Sequence, residues 1–140
     1  MFDRYMADKA YVVIANMKVE KVFDNKYKTI LPKEMKKAAE AAVKGSNALT
    51  AQKPSKNQAK TYSLDATVTS LTQSGNMFEA KLSMALSEED FMFGFPTGHG
   101  KTAVTKDPEG DVVFLVGKII TDMITTDVAK AIQGRLPKGS

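Results

Sequence analysis

The chain of 140 residues has no cysteine, no tryptophan, one histidine (His99) and only two arginines, Arg4 and Arg135. Without cysteine there is no disulfide framework, no thiol nucleophile and no thiolate metal site. One histidine removes nearly every imidazole-based metal centre or catalytic triad. With 18 of the 20 basic residues being lysine, the planar guanidinium fork favoured for base readout and bidentate phosphate clamps is scarce. Long hydrophobic runs are missing as well. Residues 11–15 and 112–116 are the longest, far short of the ~20 needed to span a bilayer. Residues 1–9 carry charges where a signal peptide has its apolar stretch.

What remains suits one globular domain. Hydrophobic residues make up 43% of the chain and charged residues 26%, a balance too apolar for a disordered chain. At this length about 70% of the unfolded surface can be buried without disulfide or metal support. The net charge of +4 divides unevenly. Residues 1–60 hold 13 basic against 6 acidic side chains, and residues 61–140 hold 7 against 10.

Periodicity gives the elements. In residues 11–23, after an apolar start, Tyr11, Val13, Ala15, Met17 and Val19 share one face and Asn16, Lys18 and Glu20 the other, which predicts a long strand buried on both faces at its start and half-exposed later. Pro32 suits the first position of a helix, where its missing N–H costs nothing. Leu31, Met35, Ala38, Ala39, Ala42 and Val43 then recur at helical spacing, ending near Gly45. Two one-sided strands follow, Tyr62 to Val68 and Phe78 to Leu86, joined by Ser74-Gly75-Asn76, and predict an antiparallel hairpin. Leu71 is out of phase and implies a bulge or twist. A short strand is expected over 91–96, another over 101–105, and a long helix from Pro108 to about Gln133, capped by Asp107. The predicted fold is α+β: a single two-layer domain, 1–140, with a mostly antiparallel sheet and both helices on one face. Residues 1–9 and 135–140 are expected to be flexible, and 51–60 to form a mobile basic loop.

Each apparent motif fails at a named position. Gly98-His99-Gly100-Lys101-Thr102 ends like a phosphate-binding P-loop. That loop needs glycine five residues before Gly100, where this chain has Phe95. Phosphate binding here is a minor reading beside a glycine-rich turn between strands. Asp107, Glu109 and Asp111 alternate as in a calcium loop, but Val112 and Lys118 occupy its glycine and glutamate positions. No metal and no cofactor is expected. Lys33, Lys36, Lys37 and Lys44, with Lys53, Lys56 and Lys60 in the loop, could bind a polyanion, though exposed aromatics for base stacking are not interleaved with them. Nucleic acid is therefore not the favoured partner.

The sharper signal is apolar. Phe91, Met92, Phe93 and Phe95 crowd into five residues, which fits a core strand kinked at Gly94 or, more sharply, a partner-binding edge, since aromatics and methionine are enriched at interfaces. The last helix has a stripe wider than one sheet can cover: Phe114, Leu115, Ile124 and Val128 spread beyond one face, with Phe114 and Leu115 as its exposed part. These two and the four of the cluster form the candidate partner surface, with a second copy of the chain as the expected partner. The element order resembles that of small bacterial envelope domains that assemble with copies of themselves; no diagnostic motif carries the likeness. The expectation is a non-catalytic binding or assembly module without a membrane span, in a bacterial cytoplasm, or in the periplasm if a leader has been removed.

Overall fold

Asp24 starts the first helix: its carboxylate accepts from the Lys26 N–H at 3.0 Å, and its carbonyl accepts from Tyr27. In the computed structural model, which describes residues 9–52 and 61–135, α1 therefore spans Lys26–Lys44 and Pro32 lies inside it. The expected start at Pro32 is too late by a turn and a half. Burial of Tyr27 and Leu31 on the same face as Met35 and Ala39 outweighs the hydrogen bond that proline cannot make.

The strands are β1 (Ala10–Val22), β2 (Leu49–Thr50), β3 (Thr61–Ser74), β4 (Met77–Glu88), β5 (Phe91–Gly94) and β6 (Thr97–Ala103). They form one sheet in the order β2-β1-β3-β4-β5, with β6 also on β4. β1 runs parallel to β2 and β3, because α1 carries the chain back between β1 and β3. The remaining pairings are antiparallel, including the β3–β4 hairpin, whose Gly75 takes a positive φ of 59°. The sheet is thus mixed, with most of its pairings antiparallel as the strand pattern predicts. β5 and β6 follow the same flank of β4 as one kinked edge, and Met84 N–H donates to the Pro96 carbonyl at the kink.

Bulges reset the phase of three strands. In β1, Ile14 pairs with Leu64 and Met17 with Ala66, so Ala15 and Asn16 oppose Asp65 alone. The Asp65 carboxylate accepts from the Asn16 N–H at 2.9 Å and holds the extra residue. Val12 and Ile14 are consequently the core residues before the bulge, and Met17 and Val19 pack on the core after it. The single alternating face from Tyr11 to Val19 is corrected accordingly. In β3 the extra residue is Thr69, whose hydroxyl donates to the Lys81 carbonyl at 3.0 Å. That bulge turns the out-of-phase Leu71 inward, where it is fully buried.

The last helical stretch comprises α2 (Pro108–Met123), a π turn (Ile124–Val128) and α3 (Ala129–Gln133). Asp107 caps it by accepting from Gly110 N–H at 3.0 Å, and Asp111 accepts from both the N–H and the hydroxyl of Thr105. The wider π turn inserts an extra residue per turn. It brings Ile124, Val128 and Ile132 into the same core as Val112, Val116 and Ile120. Both helices cover one face of the sheet: α1 packs on β1, α2 on β6, and the two helices touch each other.

Candidate functional site

The hairpin from β4 to β5 turns through Glu89, at φ 54°. Its backbone N–H donates to the Thr61 carbonyl at 2.9 Å and its carboxylate accepts from the Thr61 N–H at 3.2 Å. This left-handed turn is held from both ends, so β5 projects from a fixed base. Phe91 and Met92 are 62% and 52% exposed, and Phe95 is 65% exposed. Phe93 differs because it is the bulged residue between the Leu86–Gly94 and Ser87–Met92 pairs. It is half-buried and meets Tyr62 edge-on, with ring centres 6.0 Å apart.

Arg135 closes this corner. Its guanidinium lies 4.4 Å from the centre of the Phe93 ring and 5.6 Å from that of Phe91, and its Nε bonds the Glu88 carboxylate at 2.9 Å. A cation is therefore already seated here by ring faces and a carboxylate together. The Tyr62 phenol beneath has no hydrogen bond of good geometry. Burial pushes it above its ordinary pKa, the Glu88 carboxylate adds to that, and Arg135 pulls the other way.

The rest of the proposed partner surface separates. Phe114 is 65% exposed, but Leu115 is buried among the core residues beside Gly100 and is removed from the surface. Phe114 and Arg135 are 21 residues apart along the helical stretch, or about 30 Å at the helical rise. Phe114 and the β5 cluster are two patches.

Gly98, His99, Gly100, Lys101 and Thr102 all lie in β6, with Gly98, Gly100 and Thr102 turned toward the helices and His99 and Lys101 outward. His99 stands opposite Lys81, and Lys101 opposite Glu79. The glycines lie beneath α2, and no helix follows Lys101 directly; a phosphate loop would have both features reversed. Lys33, Lys36, Lys37 and Lys44 are exposed on α1, where Lys37 pairs with Glu34 at 3.6 Å. Lys53, Lys56 and Lys60 lie outside the described residues. Among the described residues no group of three or more acidic or histidine side chains is placed to hold a metal, and no helix is long and apolar enough to cross a membrane.

Arg135, Glu88, Phe23 and Met77 were not legible as surface features. Phe23 stacks on Phe78 with centres 5.5 Å apart and touches Tyr27, yet stays 42% exposed. Its position just before Asp24-Asn25 placed it at a strand end, which was the available signal.

No family model matches the chain, and a search of curated proteins finds no relative. Solved structures do share the fold. The hypothetical protein CT253 from Chlamydia trachomatis is 10% identical with a TM-score of 0.66, over 90% of this chain and 99% of that one. PelC from Paraburkholderia phytofirmans, solved as a dodecamer, is 9% identical with a TM-score of 0.59, over 84% and 88%. Protein XCC0632 from Xanthomonas campestris, assigned to DUF330, is 11% identical with a TM-score of 0.56, over 91% and 86%. At these identities the likeness is one of fold, and these three proteins are bacterial.

Proposed function

We propose that this chain is a non-catalytic binding or assembly module of a bacterium that associates with copies of itself through the β5 edge and the outer face of α2. The observation that carries the reading is the exposure of Phe91 and Met92 on one short edge strand fixed by the Glu89 turn, and of Phe95 directly after it. Leaving three large apolar side chains in water forgoes about 1.5–3 kcal/mol of burial each, which a second copy can recover. Phe114 on α2 supplies a second apolar anchor. The dodecameric state of PelC, a protein of the same fold, supports self-association over binding of a small ligand.

Size-exclusion chromatography with light scattering tests this across protein concentration. The expected result is a mass above the monomer that rises with concentration and falls to the monomer in a Phe91→Asp, Phe95→Asp variant with an unchanged circular dichroism spectrum. A wild-type monomer at all concentrations, or an unaltered oligomer in that variant, would sink the proposal.

A further inference from the structure

The two exposed apolar patches are separate, and the turn that carries one is acidic while the helix α1 beside the other is basic. β5 sits at the sheet edge farthest from β1 and emerges from Glu88-Glu89-Asp90. Glu88 is bonded to Arg135, while Glu89 and Asp90 are exposed beside Phe91. Phe114 lies next to a basic helix, although α2 itself carries Glu109, Asp111 and Asp122 against Lys118. α1 carries six lysines against two glutamates. Lys26, Lys33, Lys37 and Lys44 are spaced by 7, 4 and 7 residues, so they fall within about 40° of one line along the helix. All four are exposed, on the side opposite buried Leu31, Met35 and Ala39.

α1 and α2 run in the same direction. Lys26 meets Glu109 at 4.0 Å near their starts, and Ala38 faces Gly117 further along. Phe114 leaves α2 on the side opposite buried Val112 and Val116. It therefore emerges on the outer face of the helix layer, level with the stretch of α1 that holds Lys33 and Lys37.

Resting on the self-association reading above, we infer that the interface is head-to-tail: the acidic, aromatic β5 tip of one copy docks on the Phe114–Lys33–Lys37 face of the next. Within one copy the two patches are too far apart to meet. Between copies, apolar meets apolar and acid meets lysine, whereas tip against tip or helix face against helix face opposes like charges. The chemistry has a precedent inside the chain, since Arg135 is held by the rings of Phe91 and Phe93 together with the Glu88 carboxylate. A lysine of the neighbouring copy would meet the outer ring faces of Phe91 and Phe95 with Glu89 and Asp90 in the same way. Such a heterologous contact uses different surfaces on the two partners and propagates into a ring or a filament.

Two variants separate this arrangement from every symmetric one. Phe91→Asp, Phe95→Asp spoils the tip, and Phe114→Asp spoils the helix face; all three positions are on the surface. Each variant alone is expected to be monomeric by light scattering. Their mixture is expected to form a one-to-one dimer and nothing larger, because one intact tip and one intact face remain. Asp90→Lys in the copy with the intact tip should weaken that dimer about tenfold, and Lys33→Glu, Lys37→Glu in its partner should restore it. If the Phe114→Asp variant still self-associates as wild type while the tip variant does not, the contact is tip to tip; the inference falls and the self-association reading stands. If the wild type is itself monomeric, both fall. If the lysine variants leave assembly unchanged but abolish retention on heparin, the basic face serves a polyanion and the inference is overturned.

Discussion

Gly98 and Gly100 let α2 approach the sheet edge. A Cβ on Gly98 would come 2.7 Å from Met123 Sδ and 2.9 Å from its Cγ, and one on Gly100 would press on Ile119 and Leu115 at 3.2 Å. The methionine end can yield to a single methyl group, but a branched side chain has no room. Gly98→Val should therefore cost about 1–3 kcal/mol through overpacking, read as a lower midpoint in denaturant with circular dichroism detection; an unchanged midpoint would show that the helix is not held there. Tyrosine supplies a second residue-scale test. Burial raises the phenol pKa of Tyr27, with Glu109, Asp24, Asp107 and Asp111 adding to it, and raises that of Tyr62. Both phenols are thus neutral in the fold to higher pH than in the unfolded chain. Their contribution is complete below the ordinary value of 10 and is lost as pH climbs through the raised native values. Stability measured from pH 8 to 11 should fall at the alkaline end, and Tyr62→Phe should make that fall shallower. An identical alkaline profile in the variant would remove Tyr62 from the account.

At the scale of elements, α1 tolerates a residue that opposes it. Pro32 is the seventh residue of the helix, so its absent N–H leaves the Lys28 carbonyl without its helical partner. Proline also narrows the unfolded ensemble, which offsets part of that loss. Pro32→Ala should stabilise the protein by about 1 kcal/mol or more, seen as a raised thermal midpoint; a lowered one would mean that the native chain depends on a proline-shaped bend. The same element shows where sequence patterns were readable. Its buried stripe from Leu31 to Val43 matched helical spacing, whereas its start depended on Asp24 capping a turn that burial of Tyr27 makes worthwhile. The β3–β4 hairpin was legible because alternation and Ser-Gly-Asn agreed. β1 was legible as a strand but not in its facing, because a bulge held by Asp65, 49 residues away, reverses its phase midway. The excess width of the last stripe had a similar cause. A π turn returns Ile124 and Val128 to the core and leaves Phe114 outside.

For the whole molecule, the decisive feature is the division of its surface. α1 lies over β1 at one side of the sheet, and the β5 tip stands at the other. The uneven charge of the two halves of the chain becomes, on folding, a basic face on the helix over β1 and an acidic turn at the β5 edge. Self-association built on such faces should be sensitive to salt as well as to Phe91 and Phe114, since exposed charges are screened beyond about 8 Å at physiological ionic strength. The mixing experiment above reads this directly when it is repeated at raised salt. The aromatic cluster was legible in the chain, but its exposure was not, since the same four residues also fit a core strand kinked at Gly94 until β5 is placed at the sheet edge. Nor was its separation from Phe114, since the distance between them depends on the path of a helix across the sheet.

The order of residues by itself determined the element types, the single α+β domain and the identity of most core positions. Those follow from local spacing, which each short segment carries whatever it packs against. It also determined what chemistry lacks its residues, through the missing cysteine and the single histidine. Only the tertiary structure decided which side of each element faces inward at a bulge or π turn, and that Leu115 is core while Phe114 is surface. It alone showed that Gly98 and Gly100 serve helix packing, and that Arg135 pins the strand turn that displays Phe91. These depend on contacts between residues tens of positions apart, and no local period encodes them.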